Sequence, residues 1–234
     1  HLSWAGNNGI VRIASPASLP PLMGKAKASA SMREFMARDR GVNLLAAARV
    51  LLFGARDVWF VIALPLTLAA QFGWSQWEVG SFLAVWVIGY GAVQSLAPLL
   101  TGVRSTQPEK QLPDGRSLTF WALALCTLPA VIALALTQQW HSETVLISVL
   151  LLFGAIFAIN SSLHSYMIIR YANADGVSLD VGFYYMANAL GRLIGTVLSG
   201  WVYQVAGLSA CLWISSLMLL ATALVSIWLP KQAA

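Results

Sequence analysis

Charged residues are scarce in this sequence. Asp, Glu, Lys and Arg make up 10% of its 234 residues, whereas they make up about 25% of a typical soluble domain. Hydrophobic residues make up 58% of the chain, compared with about 45–50% in soluble domains. So few charges cannot cover a soluble surface, and the composition therefore predicts a helical protein that crosses a membrane several times.

Cysteine and histidine are also rare. Cys126 and Cys211 both lie inside apolar runs, so we interpret them as packing residues and expect no disulfide framework or thiolate metal site. His1, His141 and His164 are far apart in the sequence. No nucleophile elbow, zinc-protease motif or P-loop occurs, so we predict neither an enzyme nor a resident cofactor.

Six apolar segments are long enough to cross a hydrocarbon core, which needs about 20 helical residues. A lone strand would leave its backbone unpaired in lipid, so helices are expected. The sequence therefore predicts an all-α membrane protein with six transmembrane helices, at residues 43–71, 77–101, 117–137, 144–171, 179–204 and 208–229.

Basic residues alternate between the loops. The connections 72–76, 138–143 and 204–208 contain no Lys or Arg, whereas the others carry Lys25, Lys27, Arg33, Arg38, Arg40, Arg104, Lys110, Arg116, Arg170 and Lys231. Cytoplasmic loops of membrane proteins collect such residues. We therefore expect both ends of the chain to face the cytoplasm, and we attribute the net charge of +5 to this bias and not to nucleic-acid binding.

The chain divides by composition into four parts. Residues 1–24 are irregular, 25–41 form a basic cytoplasmic linker, 42–230 form the six-helix bundle and 231–234 form a tail. Two local signals mark helix starts: Ser75 followed by Glu78 is typical of a capping box, and Asp114-Gly115 indicates a turn.

The first span carries three charges, Arg49, Arg56 and Asp57. An ionisable group at the bilayer centre costs about 2.5–3.5 kcal/mol on insertion scales, so it is expected to face protein or a water-filled cavity. Arg49 and Arg56 share a helix face. Arg49 lies nearer the cytoplasmic end and has the reach to extend to the interface. Asp57 points about 100° away from Arg56, so we expect each of them to pair across helices or to meet a ligand.

The fifth span carries two stripes at four-residue spacing. The first consists of small residues, which let membrane helices approach closely: Ala187, Gly191, Gly195 and Ser199. The second is polar and predicts a ligand path: Tyr184, Asn188, Arg192 and Thr196.

The fourth span places Asn160 and His164 on one face. His164 is a candidate proton carrier, because histidine changes charge near neutral pH. The alternative is a neutral histidine that makes one hydrogen bond between helices.

Two interpretations of the midplane arginines remain open. They either form a buried ion pair with Asp57, or they line a site for an anion. The second interpretation makes Arg56, Arg192, Asn188, Arg49, Tyr184 and Asn160 the candidate substrate-binding residues, since the planar guanidinium binds two oxygens of an oxyanion at once. Asp57 would then couple transport to protons, provided that no cation lies near it.

Six spans with both ends cytoplasmic are half of a twelve-span major facilitator transporter. Several runs resemble a particular branch, the organoarsenical efflux (ArsJ-type) permeases. They are NLLAAAR at 43–49, FGARDVWF at 53–60, ALP at 63–65, WVIGYG at 86–91, PDGR at 113–116, and GFYY at 182–185 continuing through Gly191-Arg192 to Ser199-Gly200-Trp201.

This resemblance, over about residues 24–230, implies the C-terminal half of such a permease in the bacterial inner membrane. It implies export of 1-arseno-3-phosphoglycerate, made by a partner glyceraldehyde-3-phosphate dehydrogenase, and hence arsenate resistance. We expect the chain to be a piece of a longer protein that also contains an N-terminal six-helix half. The alternatives are a transporter of another small organic anion or drug, and a non-transporting membrane scaffold or sensor whose arginines pair internally.

Overall fold

The computed structural model describes residues 39–100, 114–172 and 177–230. It contains six helices there: α1 (Arg40–Phe60), α2 (Ala63–Ala70), α3 (Gln76–Leu100), α4 (Gly115–Thr137), α5 (Ser142–Tyr171) and α6 (Val177–Ile227). No strand occurs in these three ranges. The predictions for residues 1–24, for most of the basic linker 25–41, for the loop 101–113 and for the tail 231–234 lie outside the described residues.

Five helical stretches are long and apolar enough to cross a membrane: Arg40–Ala70, Gln76–Leu99, Gly115–Thr137, Ser142–Tyr171 and Val177–Ile227. This confirms the predicted all-helical membrane architecture, although six separate spans were expected. The difference lies in α6, which has 51 residues. At 1.5 Å per residue it is more than twice as long as a hydrocarbon core of about 30 Å.

Gly207 divides α6 into two arms. Its backbone is not helical, with φ 73° and ψ −173°, a conformation that glycine adopts without the steric cost of a side chain. The arms, 177–206 and 208–227, correspond to the last two predicted spans. They are joined through one glycine and not through a loop.

The first predicted span is interrupted between α1 and α2. Pro65 has no backbone N–H, and its ring crowds the carbonyl of Val61, so the helix breaks at Val61 and Ile62. The hydroxyl of Ser199 on α6 accepts a hydrogen bond of 3.2 Å from the freed amide of Ala63. The break is thus stabilised from a neighbouring helix.

Both helix starts indicated by the sequence occur in the structure. Ser75 and Glu78 form the predicted capping box at the start of α3: the Ser75 amide donates to Glu78 Oε2 at 2.7 Å, and the Glu78 amide donates to Ser75 Oγ at 3.3 Å. At the start of α4, Asp114 Oδ1 accepts a hydrogen bond of 3.1 Å from the amide of Ser117.

Helix α1 packs most extensively against the first arm of α6. A Cβ atom added at Gly191 would lie 2.3 Å from the Val50 carbonyl oxygen, and one added at Gly195 would lie 2.7 Å from the Gly54 carbonyl oxygen. The two backbones are therefore in direct contact, with no room for a side chain between them.

The second arm of α6 also contacts α1. Ser215 Oγ donates to the Ala55 carbonyl at 2.6 Å and accepts from Trp59 Nε1 at 3.2 Å. Helix α1 is thus bonded to both arms, and most of its residues are buried. Arg49, Arg56 and Asp57, in the middle of α1, consequently lie within the bundle.

Helix α3 is attached mainly to α5, and only 11% of its most apolar window is buried. One side chain, that of Trp86, makes several of the contacts between α3 and the rest of the bundle. The indole of Trp86 donates to the Leu150 carbonyl at 2.9 Å, lies against Gly154 and packs on Phe60 with ring centroids 4.5 Å apart. The rest of α3 presents an open apolar face.

Candidate functional site

Asp57 lies at the junction of α1 and α6 and is fully buried. Its Oδ1 contacts Arg56 Nε at 2.6 Å, and its Oδ2 contacts Arg192 Nε at 3.2 Å. The contact with Arg192 is the ion pair between helices that the first interpretation anticipated. The contact with Arg56 contradicts our expectation that these two neighbours are poor partners, because the long arginine side chain folds back along the helix.

The two arginines differ in burial. The side chain of Arg56 is 12% exposed and that of Arg192 is 57% exposed. Arg192 is therefore not enclosed by this bundle, contrary to our expectation for a midplane arginine, and it opens onto the surface of α6. Asp57 holds the Nε end of the Arg192 guanidinium at the bundle, while the other end of this guanidinium projects outward.

Both arginines contact Asp57 through Nε. Their terminal Nη atoms make no hydrogen bond to any residue in the described ranges. A guanidinium bound in this way keeps the two donors that form a bidentate contact with an oxyanion. Asp57 thus orients two guanidinium groups without using their terminal donors. We call Arg56, Asp57 and Arg192 the charge junction.

Arg49 is buried and only 4% exposed, so it does not extend to the cytoplasmic interface as its position in the sequence suggested. Its Nη1 donates to the carbonyl and to the hydroxyl of Ser161 on α5, each at 3.1 Å. Its guanidinium carbon lies 4.8 Å from the centre of the Tyr184 ring on α6. Arg49 therefore links α1, α5 and α6.

Phe53 connects Arg49 to the charge junction. The guanidinium carbon of Arg49 lies 4.0 Å from the centre of its ring, and that of Arg56 lies 5.0 Å from it. Arg56 also lies 5.3 Å from the ring centre of Phe157 on α5. Sequence reasoning missed both phenylalanines, although Phe53 stands four residues after Arg49 and three before Arg56, which places all three side chains on one helix face.

Asn160, His164 and Tyr184 are fully buried, and the ring of Tyr184 contacts Arg49. Their polar atoms lack hydrogen-bond partners among the described residues. This holds for both ring nitrogens of His164, both polar atoms of the Asn160 amide and the Tyr184 hydroxyl. His164 therefore does not make the single hydrogen bond between helices that we considered. The Oδ1 atom of Asn188, one turn along from Tyr184, is likewise buried and unpartnered.

Asp57 has two guanidinium groups within 3.2 Å. Proton coupling through Asp57 required that no cation lie near it, and this conformation does not meet that condition.

A pocket of about 620 Å³ opens at the other end of the bundle from Arg170 and Arg116. It is lined by residues of the three connections that lack Lys and Arg, among them Phe72, Ser142 and Gly207. None of the predicted site residues lines it. In the parts of the chain that the structure describes, no three His, Cys, Asp or Glu side chains cluster in a way that would hold a metal ion.

Membrane-length helices, a buried charge junction and a second arm of α6 beyond Gly207 are compatible with a transporter bundle. The sequence model of the Major Facilitator Superfamily matches residues 45–234. The chain belongs to this superfamily. No curated protein sequence matches it. Major facilitator proteins are membrane transporters and not enzymes, so the chain is a multi-pass membrane protein of a transporter family.

Proposed function

We propose that this chain serves a secondary transporter that exports an anionic organoarsenical of the 1-arseno-3-phosphoglycerate class by alternating access, and so confers arsenate resistance. In this proposal the chain is the C-terminal six-helix half of an organoarsenical efflux permease in the bacterial inner membrane. The N-terminal half would complete the transport path, and glyceraldehyde-3-phosphate dehydrogenase would supply the cargo.

The observation that carries this proposal is the geometry of the charge junction. Arg56 and Arg192 contact Asp57 through Nε and leave their Nη donors unused. Two positive groups against one negative group leave a net positive charge, which favours an anion over a cation. The exposure of Arg192 supports access from outside the bundle, and we propose that its surface of α6 faces a water-filled cavity between the two halves.

Other predicted residues extend the proposed cargo site along α6. Asn188 precedes Arg192 by one helical turn, and its buried Oδ1 lacks a partner among the described residues. Tyr184, Asn160 and Arg49 lie deeper, toward α5. We propose that the cargo first meets Arg192 and Arg56 and that these deeper residues contribute to the same polar path, with His164 as the candidate proton carrier.

Arsenate resistance in cells that carry the complete protein tests this function. Arg56→Ala and Arg192→Ala should each abolish resistance, while Arg116→Ala, which removes an exposed arginine outside the site, should leave it unchanged. Immunoblotting of membranes must show equal protein levels. Normal resistance in both site variants would refute the assigned site.

The same junction fits another small organic anion, because guanidinium groups do not select arsenic over phosphorus or carboxylate. Everted vesicles distinguish the two cargoes. Export of the arsenic ester that is not inhibited by excess phosphate esters or carboxylates supports the organoarsenical, whereas uptake of those anions without arsenic transport supports the alternative.

The alternative hypothesis of a non-transporting scaffold also predicts that the arginines pair internally, and Asp57 does pair with both Arg56 and Arg192. Membership of a transporter superfamily favours transport. If variants that disrupt the junction change only stability and leave cargo flux unchanged, the scaffold function is the better account.

A further inference from the structure

Within the described residues, the guanidinium of Arg49 has no carboxylate partner. Its side chain is only 4% exposed, and no ion pair joins it to an acidic residue of the described ranges. Its contacts are the carbonyl and hydroxyl of Ser161 and the rings of Phe53 and Tyr184. A buried charge is normally paired with an opposite charge, so the pairing of Arg49 is incomplete.

Several polar atoms around Arg49 also lack hydrogen-bond partners among the described residues. Arg49 Nε, both polar atoms of Asn160, both ring nitrogens of His164 and the Tyr184 hydroxyl are buried without a partner in the described protein. Ser165 and Arg49 both lie close to the Tyr184 hydroxyl, but neither makes a well-aligned hydrogen bond to it, and the Ser165 hydroxyl donates to the Ser161 carbonyl at 3.1 Å. Buried polar groups in native proteins are almost always satisfied by protein, water or ligand.

These side chains lie on neighbouring helices. Asn160 immediately precedes Ser161, which holds Arg49, and His164 follows Asn160 by one turn of α5. The Tyr184 ring approaches Arg49 from α6, and His164 is within electrostatic range of the guanidinium. Each of the four residues contributes at least one hydrogen-bond donor. Donors from three helices therefore converge around one uncompensated positive charge.

We propose that Arg49, Asn160, His164 and Tyr184 form a second anion site, which binds a compact inorganic anion inside the bundle. This site lies deeper along the polar path than the charge junction, where Asp57 already balances part of the charge. Because its residues are 0–4% exposed, this conformation encloses the site and leaves no opening for a whole organic cargo, so we propose a halide or a single oxyanion group. Its anion would supply Arg49 with the counter-charge that Asp57 gives to Arg56 and Arg192.

The test measures anion binding to the purified protein in nanodiscs of zwitterionic lipid. Tryptophan fluorescence follows thermal unfolding while chloride replaces gluconate at constant ionic strength. A second series uses inorganic phosphate. A site that binds only the folded state raises Tm in a saturable way, by about 5–11 °C at one hundred times the Kd. A rise with chloride identifies a halide site, and a rise with phosphate alone identifies a site for the oxyanion group of a cargo.

Three variants locate the effect. Arg49→Gln should abolish the rise in Tm, and Arg116→Gln, which removes an exposed arginine elsewhere, should preserve it. Tyr184→Phe removes only the unpartnered hydroxyl. It should weaken anion affinity about tenfold while leaving the anion-free Tm unchanged or higher, since an unsatisfied group is lost. This variant keeps the test decisive if Arg49→Gln does not fold.

The proposal would be overturned if neither anion gave a saturable rise in Tm, or if the rise survived in Tyr184→Phe with unchanged affinity. Water would then be the better explanation of the unpartnered polar atoms. A rise that depends on Arg192 and not on Arg49 would also overturn it. Because the measurement uses no cargo, its outcome is independent of the proposed export function.

Discussion

At the scale of single residues, Asp57 determines where two arginines lie. Its carboxylate is fully buried, and each oxygen contacts a different guanidinium. Losing one member of a buried ion pair costs about 3–5 kcal/mol when both groups are enclosed. Exposed pairs contribute about 0–1 kcal/mol. The three members of the junction therefore do not contribute equally to stability.

Substitutions in the junction should follow the order of burial. We expect Asp57→Asn to lower the free energy of unfolding by about 2–3 kcal/mol, because Arg56 stays largely buried without its partner. Arg56→Gln should cost about 1–2 kcal/mol, and Arg192→Gln less than about 1 kcal/mol because its side chain is mostly exposed. Denaturant unfolding in detergent measures all three. A cost for Arg192→Gln equal to that for Asp57→Asn would contradict the exposure of Arg192.

At the scale of helices, the contact between α1 and the first arm of α6 depends on residues without side chains. Apolar side chains gain no hydrophobic driving force from meeting each other in lipid, so close packing must hold such helices together. Gly191 and Gly195 allow this approach, and Ser199 adds a hydrogen bond at the break between α1 and α2.

Adding one methyl group at this contact should separate the helices. Gly191→Ala would place Cβ 2.3 Å from a backbone oxygen that cannot move independently, and we expect a loss of about 2–3 kcal/mol. Gly182→Ala on the same helix is the matched control, since its Cβ meets nothing within 4 Å and alanine favours helix by up to about 1 kcal/mol. Thermal unfolding of the two purified variants makes the comparison, and equal Tm values would rule out the tight contact.

Gly207 tests a different effect, because open space surrounds it. At φ 73° and ψ −173°, a residue with a side chain is strained by about 1–3 kcal/mol. Gly207→Ala should therefore lower the free energy of unfolding by about that amount although it creates no clash. A neutral Gly207→Ala variant would mean that the arms of α6 are connected in another way.

At the scale of the whole molecule, the arrangement of charge along the sequence predicts how the chain crosses the membrane. The connections at one end of the bundle lack Lys and Arg, and those connections also line the 620 Å³ pocket. Arg170 and Arg116 belong to the opposite end. From the positive-inside rule we therefore expect the pocket on the outer side of the membrane.

Cysteine labelling in intact cells tests this orientation. In a background where Cys126 and Cys211 are replaced by alanine, we expect Gln138→Cys to react with a membrane-impermeant maleimide added outside. Ser178→Cys, at the start of α6, should react only after the membrane is permeabilised. Both positions are exposed on the bundle, so the reverse labelling pattern would show that the orientation is inverted.

Hydropathy and local chemistry were sufficient to predict the elements. The apolar runs predicted the helices, Ser75 and Glu78 predicted a cap, and the separate spans 179–204 and 208–229 predicted the break that the structure places at Gly207. Pro65 also signalled the interruption after α1, but a continuous hydropathy profile concealed it. Each of these features depends on a few residues that are adjacent in the sequence, so each can be predicted from the sequence.

The contacts of the charged residues could not be predicted in the same way. The direction of Cβ does not fix a guanidinium that lies several rotatable bonds away, so the contact between Arg56 and Asp57 was missed. The exposure of Arg192 depends on which helices surround it, and apolar residues face lipid and protein alike. Only the helix arrangement distinguishes these surroundings.

The shared carboxylate of Asp57 has a consequence for turnover. In the proposed transport cycle, an oxyanion binds the free Nη donors beside Asp57, so the buried carboxylate repels it, and after the oxyanion leaves Asp57 still balances part of the charge without any outside ion. The carboxylate would therefore limit how tightly an anionic cargo is retained. Removing the carboxylate of Asp57 should give a transporter that binds its anionic cargo more tightly and releases that cargo more slowly.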